Sequence, residues 1–475
     1  MTTLQAALAR LRWCRLSLTL SCTSTHARRR VPGKPLEPPL AVFEAIVKHV
    51  NARCPSGPVV FRVTDRDCRT LRLRAGNRFP IEILFLQADQ ERAWQWLAAL
   101  DGYLTEAERN FLREGEAHVA ACSPSNGDPA AGEELCLEFL TPLPFMHSGR
   151  NTHLTAATLL QILEGRIARL SGTTLSLAQE APDLRVLSHF WEYVEFPRTS
   201  SGSGTSHHLK GCLGRLYLRG AEPLMPLLRL CEQAHLGSGE LAFGMGYYRI
   251  LDPAPGFTVE RVFDPRRLAG AAERVTRRLA DPALPTPALL ATEAARDLRR
   301  PPGTGGYGTL SGRVVQQALF EAVGPVIGRA LAAGPTGYLI NAAPDKLTES
   351  LEKARAAGFA HLHRWDVADF YPAIDPLPLE DRLRALLPLA DGPVVDRMMA
   401  VLRGAPGPGL DPPSPLAPAL ANLHLDDVGQ YLVARGMRLV RSAADFMVLG
   451  RTPADLRAAR ALVGGMTGAA ATASA

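Results

Sequence analysis

No two cysteines of this 475-residue sequence form a CxxC pair. None of the eight (Cys14, Cys22, Cys54, Cys68, Cys122, Cys136, Cys212, Cys231) lies among histidines at zinc-ligand spacing. That excludes zinc fingers and ribbons and leaves free thiols in a reducing, cytoplasmic setting as the expected state. No run of about eighteen apolar residues occurs, so no membrane span and no membrane partner are expected. The apolar stretch Leu11 to Cys22 is interrupted by Arg12 and Arg15, and so lacks the unbroken core of a signal peptide.

What is present is enough to build several cores. With 46% hydrophobic and 21% charged residues, the chain reads as soluble and multidomain, and its length fits roughly two to four domains. A formal charge of +6 and a pI near 9.0 favour a polyanionic partner, although a solvated basic surface gives the same figures.

Period-two alternation of Leu16, Leu18 and Leu20 marks a half-buried strand, with which the fold is expected to open. A Pro/Arg-rich loop precedes a helix from Ala41 to Val50, and Phe79 to Leu86 is a second strand. Helices are expected over Ala93 to Leu100 and Thr105 to Gly115, then a strand over Glu134 to Leu140. A second unit begins after His153 with an amphipathic helix through Leu159, Ile162, Ile167 and Leu170, followed by a strand at Gly214 to Leu218. Strand and helix alternate as in an α+β layer fold. Residues 256–305, rich in Pro, Arg and Ala, read as a linker containing helices, and residues 464–475 as a disordered tail.

Three stretches of the first half carry a family pattern: Leu137-Glu-Phe-Leu-Thr-Pro-Leu143, His208-Leu-Lys-Gly-Cys-Leu-Gly-Arg-Leu-Tyr217 and Gly237-Ser-Gly-Glu-Leu-Ala-Phe-Gly-Met-Gly-Tyr247. Together they resemble the CRISPR repeat-RNA endonuclease, the sixth Cas family of the RAMP superfamily, over about residues 10–255. The resemblance implies tandem RRM-like (ferredoxin-like) domains, 1–150 and 151–255, with a glycine-rich loop near the end of the second. Gly237, Gly239, Gly244 and Gly246 permit positive φ and close approach of backbone N–H groups to a phosphate, and equally suit a plain turn between strands. Lys210 and Arg215, with Arg198 and Arg219, are candidates for tracking an RNA backbone, or for a solvated strand face. The family's implied chemistry needs no metal: the ribose 2′-hydroxyl attacks the adjacent phosphate, leaving a cyclic phosphate, with a histidine as acid or base. The candidates are His49, preferred because the family often places its histidine on or near the first helix, then His26, His207 and His208. Each also fits an ordinary surface histidine.

A second set of motifs follows. Leu362-His-Arg-Trp-Asp-Val-Ala-Asp-Phe-Tyr-Pro-Ala-Ile-Asp375, then Gly409-Leu-Asp-Pro-Pro-Ser-Pro-Leu-Ala-Pro-Ala-Leu-Ala-Asn-Leu423, then Arg441-Ser-Ala-Ala-Asp-Phe-Met-Val-Leu449 resemble motifs A, B and C of reverse transcriptases of the group II intron and CRISPR-associated kinds. Arg313 to Phe320 resembles the upstream finger segment, so 306–463 is expected to be a partial fingers/palm domain. The resemblance implies Mg²⁺ held by Asp366 and Asp445, nucleotide contacts from Asp369, Tyr371, Ser414 and Asn422, and an RNA template with a DNA primer. The chain departs from the family at Pro412 and Pro413, at Ser442 and above all at Ala444, which stands where the principal motif C aspartate belongs. It also ends before the family's remaining palm and thumb.

The order of the two modules resembles the amino-terminal part of endonuclease, reverse-transcriptase and integrase fusions of type III systems. Adaptation integrase proteins of the first and second Cas families are the implied partners, and spacer acquisition from RNA the implied setting. A non-catalytic CRISPR RNA-binding subunit and a mobile-element reverse transcriptase with an RNA-binding domain are the alternatives.

Overall fold

The alternation that marks the first strand is realised as β1 (Trp13–Cys22): Leu16, Leu18 and Leu20 are buried, while Arg15, Ser17 and Thr19 on the other face are half-buried. In the computed structural model the chain is described at residues 3–24, 40–55, 59–64, 68, 71, 73–86, 89–106, 110–123, 134–145, 153–199, 206–237, 241, 244–304, 308–333, 344–403, 409–411, 414–442 and 445–467. It divides into two compact units, Met1–Pro255 and Gly256–Ala475.

In the first unit β1 is followed by α2 (Leu40–Arg53), β2 (Val59–Val63), β3 (Arg78–Leu86), α3 (Gln90–Thr105) and β4 (Phe111–Cys122), after a short opening helix α1 (Thr3–Ala9). The pattern then repeats as β5 (Glu134–Leu143), α4 (Ala156–Ser171), β6 (Arg185–Thr199), β7 (Ser206–Arg219), α5 (Met225–Ala234) and β8 (Tyr248–Leu251). The sheets are ordered β2-β3-β1-β4 and β6-β7-β5-β8, antiparallel throughout. Each is a βαββαβ unit of ferredoxin-like topology, so this half holds two such units in tandem. The expected boundary at 150 is displaced, because the strand Glu134–Leu143 belongs to the second sheet, where it pairs with β7 and β8.

Helix α4 shows why the second sheet closes. Thr155 accepts from the Thr158 N–H at its start, and Gly172, at φ +71°, ends it in a left-handed cap. Between them Leu159, Ile162, Leu163, Ile167 and Leu170 are buried against Leu137, Phe139, Leu216 and Leu218. Each such side chain contributes about 1.5–3 kcal/mol when removed from water.

The structure corrects four further sequence expectations. A helix, α1, opens the fold before the strand. Most of Thr105 to Gly115 is not helical: α3 ends at Thr105, and Phe111 begins β4, which pairs with β1 from Cys22↔Phe111 to Trp13↔Cys122. Pairing with a strand ninety residues earlier, invisible to local periodicity, decides that segment. The stretch 256–305 is no linker but α6 (Phe257–Phe263), α7 (Pro265–Leu279) and α8 (Pro287–Arg299). Its prolines Pro265 and Pro287 stand at helix starts behind the N-caps Asp264 and Thr286, where a missing N–H costs nothing. Its alanines Ala271, Ala272 and Ala294 are buried and let α7 and α8 approach α9 (Leu310–Ala333) closely. Finally, α14 (Pro453–Thr467) runs through Gly464, and only 468–475 of the expected tail lie outside the described residues.

The second unit also holds α10 (Pro344–Ala356), β9 (His361–Asp366), a 3₁₀ turn (Val367–Ala373), α11 (Pro376–Leu386), α12 (Gly392–Arg403), α13 (Ala417–Ala434), β10 (Arg438–Arg441) and β11 (Asp445–Gly450). Its antiparallel sheet runs β10-β11-β9. Sequence reading missed the ion pair that ties it to α13. Arg441, fully buried on β10, donates to Asp426 at 2.7 Å and to the Asn422 carbonyl at 3.3 Å, while Arg382 on α11 reaches the other oxygen of Asp426 at 3.5 Å. Removing one partner strands a buried charge, so Asp426→Ala is expected to cost about 3–5 kcal/mol of this unit's stability. Urea unfolding of the full chain checks it, and a loss under about 1 kcal/mol would mean that water reaches the pair and that it is no more than a surface bridge.

Candidate functional site

The glycine segment is a structural clasp. Gly237, Gly244 and Gly246 have φ of +154°, +74° and +73°, while Gly239 lies outside the described residues. A Cβ at Gly246 would stand 1.8 Å from the Leu236 carbonyl oxygen. The Gly246 N–H donates to Pro142 O at 2.9 Å, and the Gly244 N–H to Leu241 O at 3.0 Å. Tyr247 O accepts from Leu140 and Thr141, locking the segment onto the end of β5. These two N–H groups therefore serve the fold, and the phosphate-cradle reading finds no support at Gly244 or Gly246.

Beneath this clasp lies His235, a residue not singled out in the sequence. It is fully buried, with φ +62° and ψ 157°, a region costly for any residue but glycine. Its Nδ1 donates to Met245 O at 3.0 Å, its ring stacks on Tyr247, and Nε2 is buried without a hydrogen-bond partner. Burial first, then the guanidinium groups of Arg62 and Arg166, hold its pKa well below the ordinary imidazole value. The unfolded chain takes up this proton near pH 6.5, so stability is full above that value and declines as pH falls through it. Between about pH 7.5 and 5.5 the urea midpoint of the native chain should fall more steeply than that of His235→Leu, and parallel slopes would contradict the linkage.

The candidate ribonuclease residues are scattered. His49 is exposed on α2, its Nδ1 2.7 Å from Ala45 O, and its ring stacks on Tyr103 with centroids 5.6 Å apart. Arg53, one turn on, lies over the same Tyr103 ring and is held by Glu106 at 2.7 and 2.8 Å. An exposed imidazole that can move a proton and a guanidinium already compensated by Glu106 thus flank the buried Tyr103 ring. His26 lies outside the described residues. His207 pairs in backbone register with Arg198, and the structure describes neither side chain. His208 is exposed with Nδ1 2.8 Å from Glu195. Lys210 is exposed on β7, whereas Arg215 is engaged by Glu138 at 3.0 Å and Arg219 pairs with Glu134. Arg215 and Arg219 are therefore compensated charges, and Lys210 is the better phosphate candidate.

In the second unit the sheet brings the two motif acids together: Asp366, last in β9, and Asp445, first in β11, are direct register partners. Leu410 N donates to Tyr371 O at 2.8 Å, so the segment before motif B docks on the 3₁₀ turn after motif A. Tyr371 is buried, and Asp369 is exposed on that turn. Ser414 is buried and its Oγ accepts from Leu416 N; Asn422 is fully buried and donates to Pro418 O at 2.9 Å. Ser414 and Asn422 thus serve the start of α13.

The donor set does not fit Mg²⁺. Asp445 is nearly buried, its Oδ1 is taken by the Arg364 guanidinium and its Oδ2 lies 3.2 Å from the Ser442 hydroxyl. Asp366 accepts from Ala368 N at 2.8 Å. Position 444 lies outside the described residues and its alanine has no oxygen to offer. Among the described residues no group of three or more His, Cys, Asp or Glu is arranged to hold a metal ion. The charge of Asp445 is matched by Arg364.

Comparison with known proteins bears chiefly on the first unit. No curated protein matches the chain. Among solved structures, a chain of a partial Cas6-RT-Cas1–Cas2 complex is similar over 93% of this chain and 88% of its own, at 16% identity and a TM-score of 0.38. A chain of a Cas6-RT-Cas1–Cas2 complex, also 16% identical with a TM-score of 0.38, is covered over 55% of its length. A Cas6 product complex, 19% identical, is covered in full by 51% of this chain, with a TM-score of 0.32. Residues 137–248, which hold most of β5, the β6–β7 hairpin and the glycine clasp, match the family model of the CRISPR-associated endoribonuclease Cas6.

Proposed function

We propose that the first unit binds CRISPR repeat RNA and cleaves it without a metal ion, and that the second is a reverse-transcriptase-like palm that does not polymerise. The observation that carries the reading is the Cas6 match over 137–248, which lies in the second of two ferredoxin-like sheets. Cleavage uses the RNA's own 2′-hydroxyl as nucleophile, so the protein need only supply acid, base and charge compensation. Among the described residues His49 supports that role better than His208, because its ring is held on Tyr103 with Nδ1 fixed on Ala45 O, whereas His208 is engaged by Glu195.

The second unit retains the order of motifs A, B and C and the Asp366–Asp445 register, but among the described residues it groups no three side chains able to hold a metal ion. Its role is to hold an RNA template or DNA primer for adaptation integrases of the first and second Cas families. The setting is the cytoplasm; among the described residues no helix is long and apolar enough to cross a membrane. Titrating the full chain with a cognate repeat hairpin and with an unrelated hairpin of equal length tests the recognition step. The cognate RNA should bind more tightly, with affinity falling as salt rises; equal binding would overturn the assignment.

A further inference from the structure

On β6 the residues His189, Trp191 and Tyr193 alternate onto one face of the β6–β7 hairpin, opposite Leu216, Gly214 and Cys212. Two further rings join them. His153 lies 5.1 Å from His189, His189 lies 5.3 Å from Trp191, and Trp191 stacks on Phe145 at 5.6 Å with an interplanar angle of 26°. The row is braced from below: Trp191 meets Phe139 edge-on at 6.0 Å, and His189 Nε2 lies 2.8 Å from Leu154 O and 3.2 Å from Leu154 N. Phe145, Trp191 and His189 are half-buried, and His153 is exposed.

Packing accounts for only one end of this row. Phe145 and Trp191 border the core of the second sheet. Two imidazoles carrying the row out to solvent add little apolar burial, yet they extend a line of flat rings with hydrogen-bonding edges. Exposed Lys210 stands on the same face, two residues from Cys212, where it suits a phosphate; the acidic Glu195 nearby is taken up by His208. Flat rings in sequence beside a cation are how proteins hold unpaired bases, by stacking on each base and neutralising the backbone between them.

We infer that the row His153, His189, Trp191 and Phe145 is a stacking platform for a single-stranded segment flanking the RNA hairpin. The inference rests on the reading that this unit binds repeat RNA. The test uses the full chain and two probes, a repeat hairpin alone and the same hairpin with an oligouridine flank. His153→Ala and Trp191→Leu should each weaken binding of the flanked RNA by about 5- to 30-fold and leave the bare hairpin unchanged. Photocrosslinks from 5-iodouridine in the flank should map to His153, Trp191 or Phe145. Should Trp191→Leu lose bare-hairpin binding as well, it has misfolded, and exposed His153→Ala together with the crosslinks decides. Unchanged flank affinity in His153→Ala with crosslinks elsewhere would overturn the platform while leaving RNA recognition intact. A change in self-association without a change in RNA affinity would overturn it in favour of a protein-docking face. Absence of any RNA binding by the native chain would remove the functional reading and the platform with it.

Discussion

Replacing His49 with alanine is expected to slow cleavage of the cognate repeat hairpin by about 10²- to 10⁴-fold, with affinity for uncleaved RNA nearly unchanged. Histidine suits proton transfer near neutral pH, and its efficiency depends on which nitrogen is basic. Donation from Nδ1 to Ala45 O leaves Nε2 as the nitrogen that can take the 2′-hydroxyl proton. Stacking on Tyr103 restrains the ring. Parallel alanine variants at His26, His207 and His208 should cut at close to the native rate. An equal fall in binding and in rate for His49→Ala would make it a structural residue, and a large rate loss at one of the others would move the acid–base role there.

Primer extension by this chain is expected to be undetectable, at least about 10²-fold below that of a polymerase with an intact carboxylate set, because loss of metal stabilisation costs several kcal/mol at the transferred phosphate. Asp366 and Asp445 share a register, but Asp445 is neutralised by Arg364 and position 444 offers a methyl group. Calorimetric titration with Mn²⁺ should show no site in this unit. Ala444→Asp combined with Arg364→Ala restores a carboxylate and removes the competing cation, and should create one. Mn²⁺ binding or Mg²⁺-dependent synthesis by the unmodified chain, abolished by Asp366→Ala, would show that the two acids suffice.

How far the sequence reveals this molecule depends on how local the deciding interaction is. Leu16, Leu18 and Leu20 alternate over a strand whose one face is buried, and Leu159, Ile162, Ile167 and Leu170 recur over a helix capped by Thr155 and Gly172; both elements were legible because their own residues set the period. Phe111 to Gly115 was not, because its partner β1 lies ninety residues earlier. The helices between 257 and 299 were obscured by prolines that punctuate helix starts as readily as loops. The pairing of Asp366 with Asp445 was foreshadowed by motif order, whereas Arg364 reaching across to Asp445 depends on a register that sequence alone does not fix. His235 gave no signal, since its buried place follows from the clasp formed around Gly246. At Gly246 a steric demand of the backbone calls for the same residue type that a phosphate contact would, so composition alone does not separate the two readings.

Incubating the full chain with the cognate hairpin in excess EDTA and identifying the new ends tests whether repeat RNA is cleaved by its own 2′-hydroxyl, as proposed. A single cut that persists in the chelator and leaves a 2′,3′-cyclic phosphate on the upstream fragment is expected. Cleavage that requires added Mg²⁺, or that leaves a 3′-hydroxyl, would contradict it.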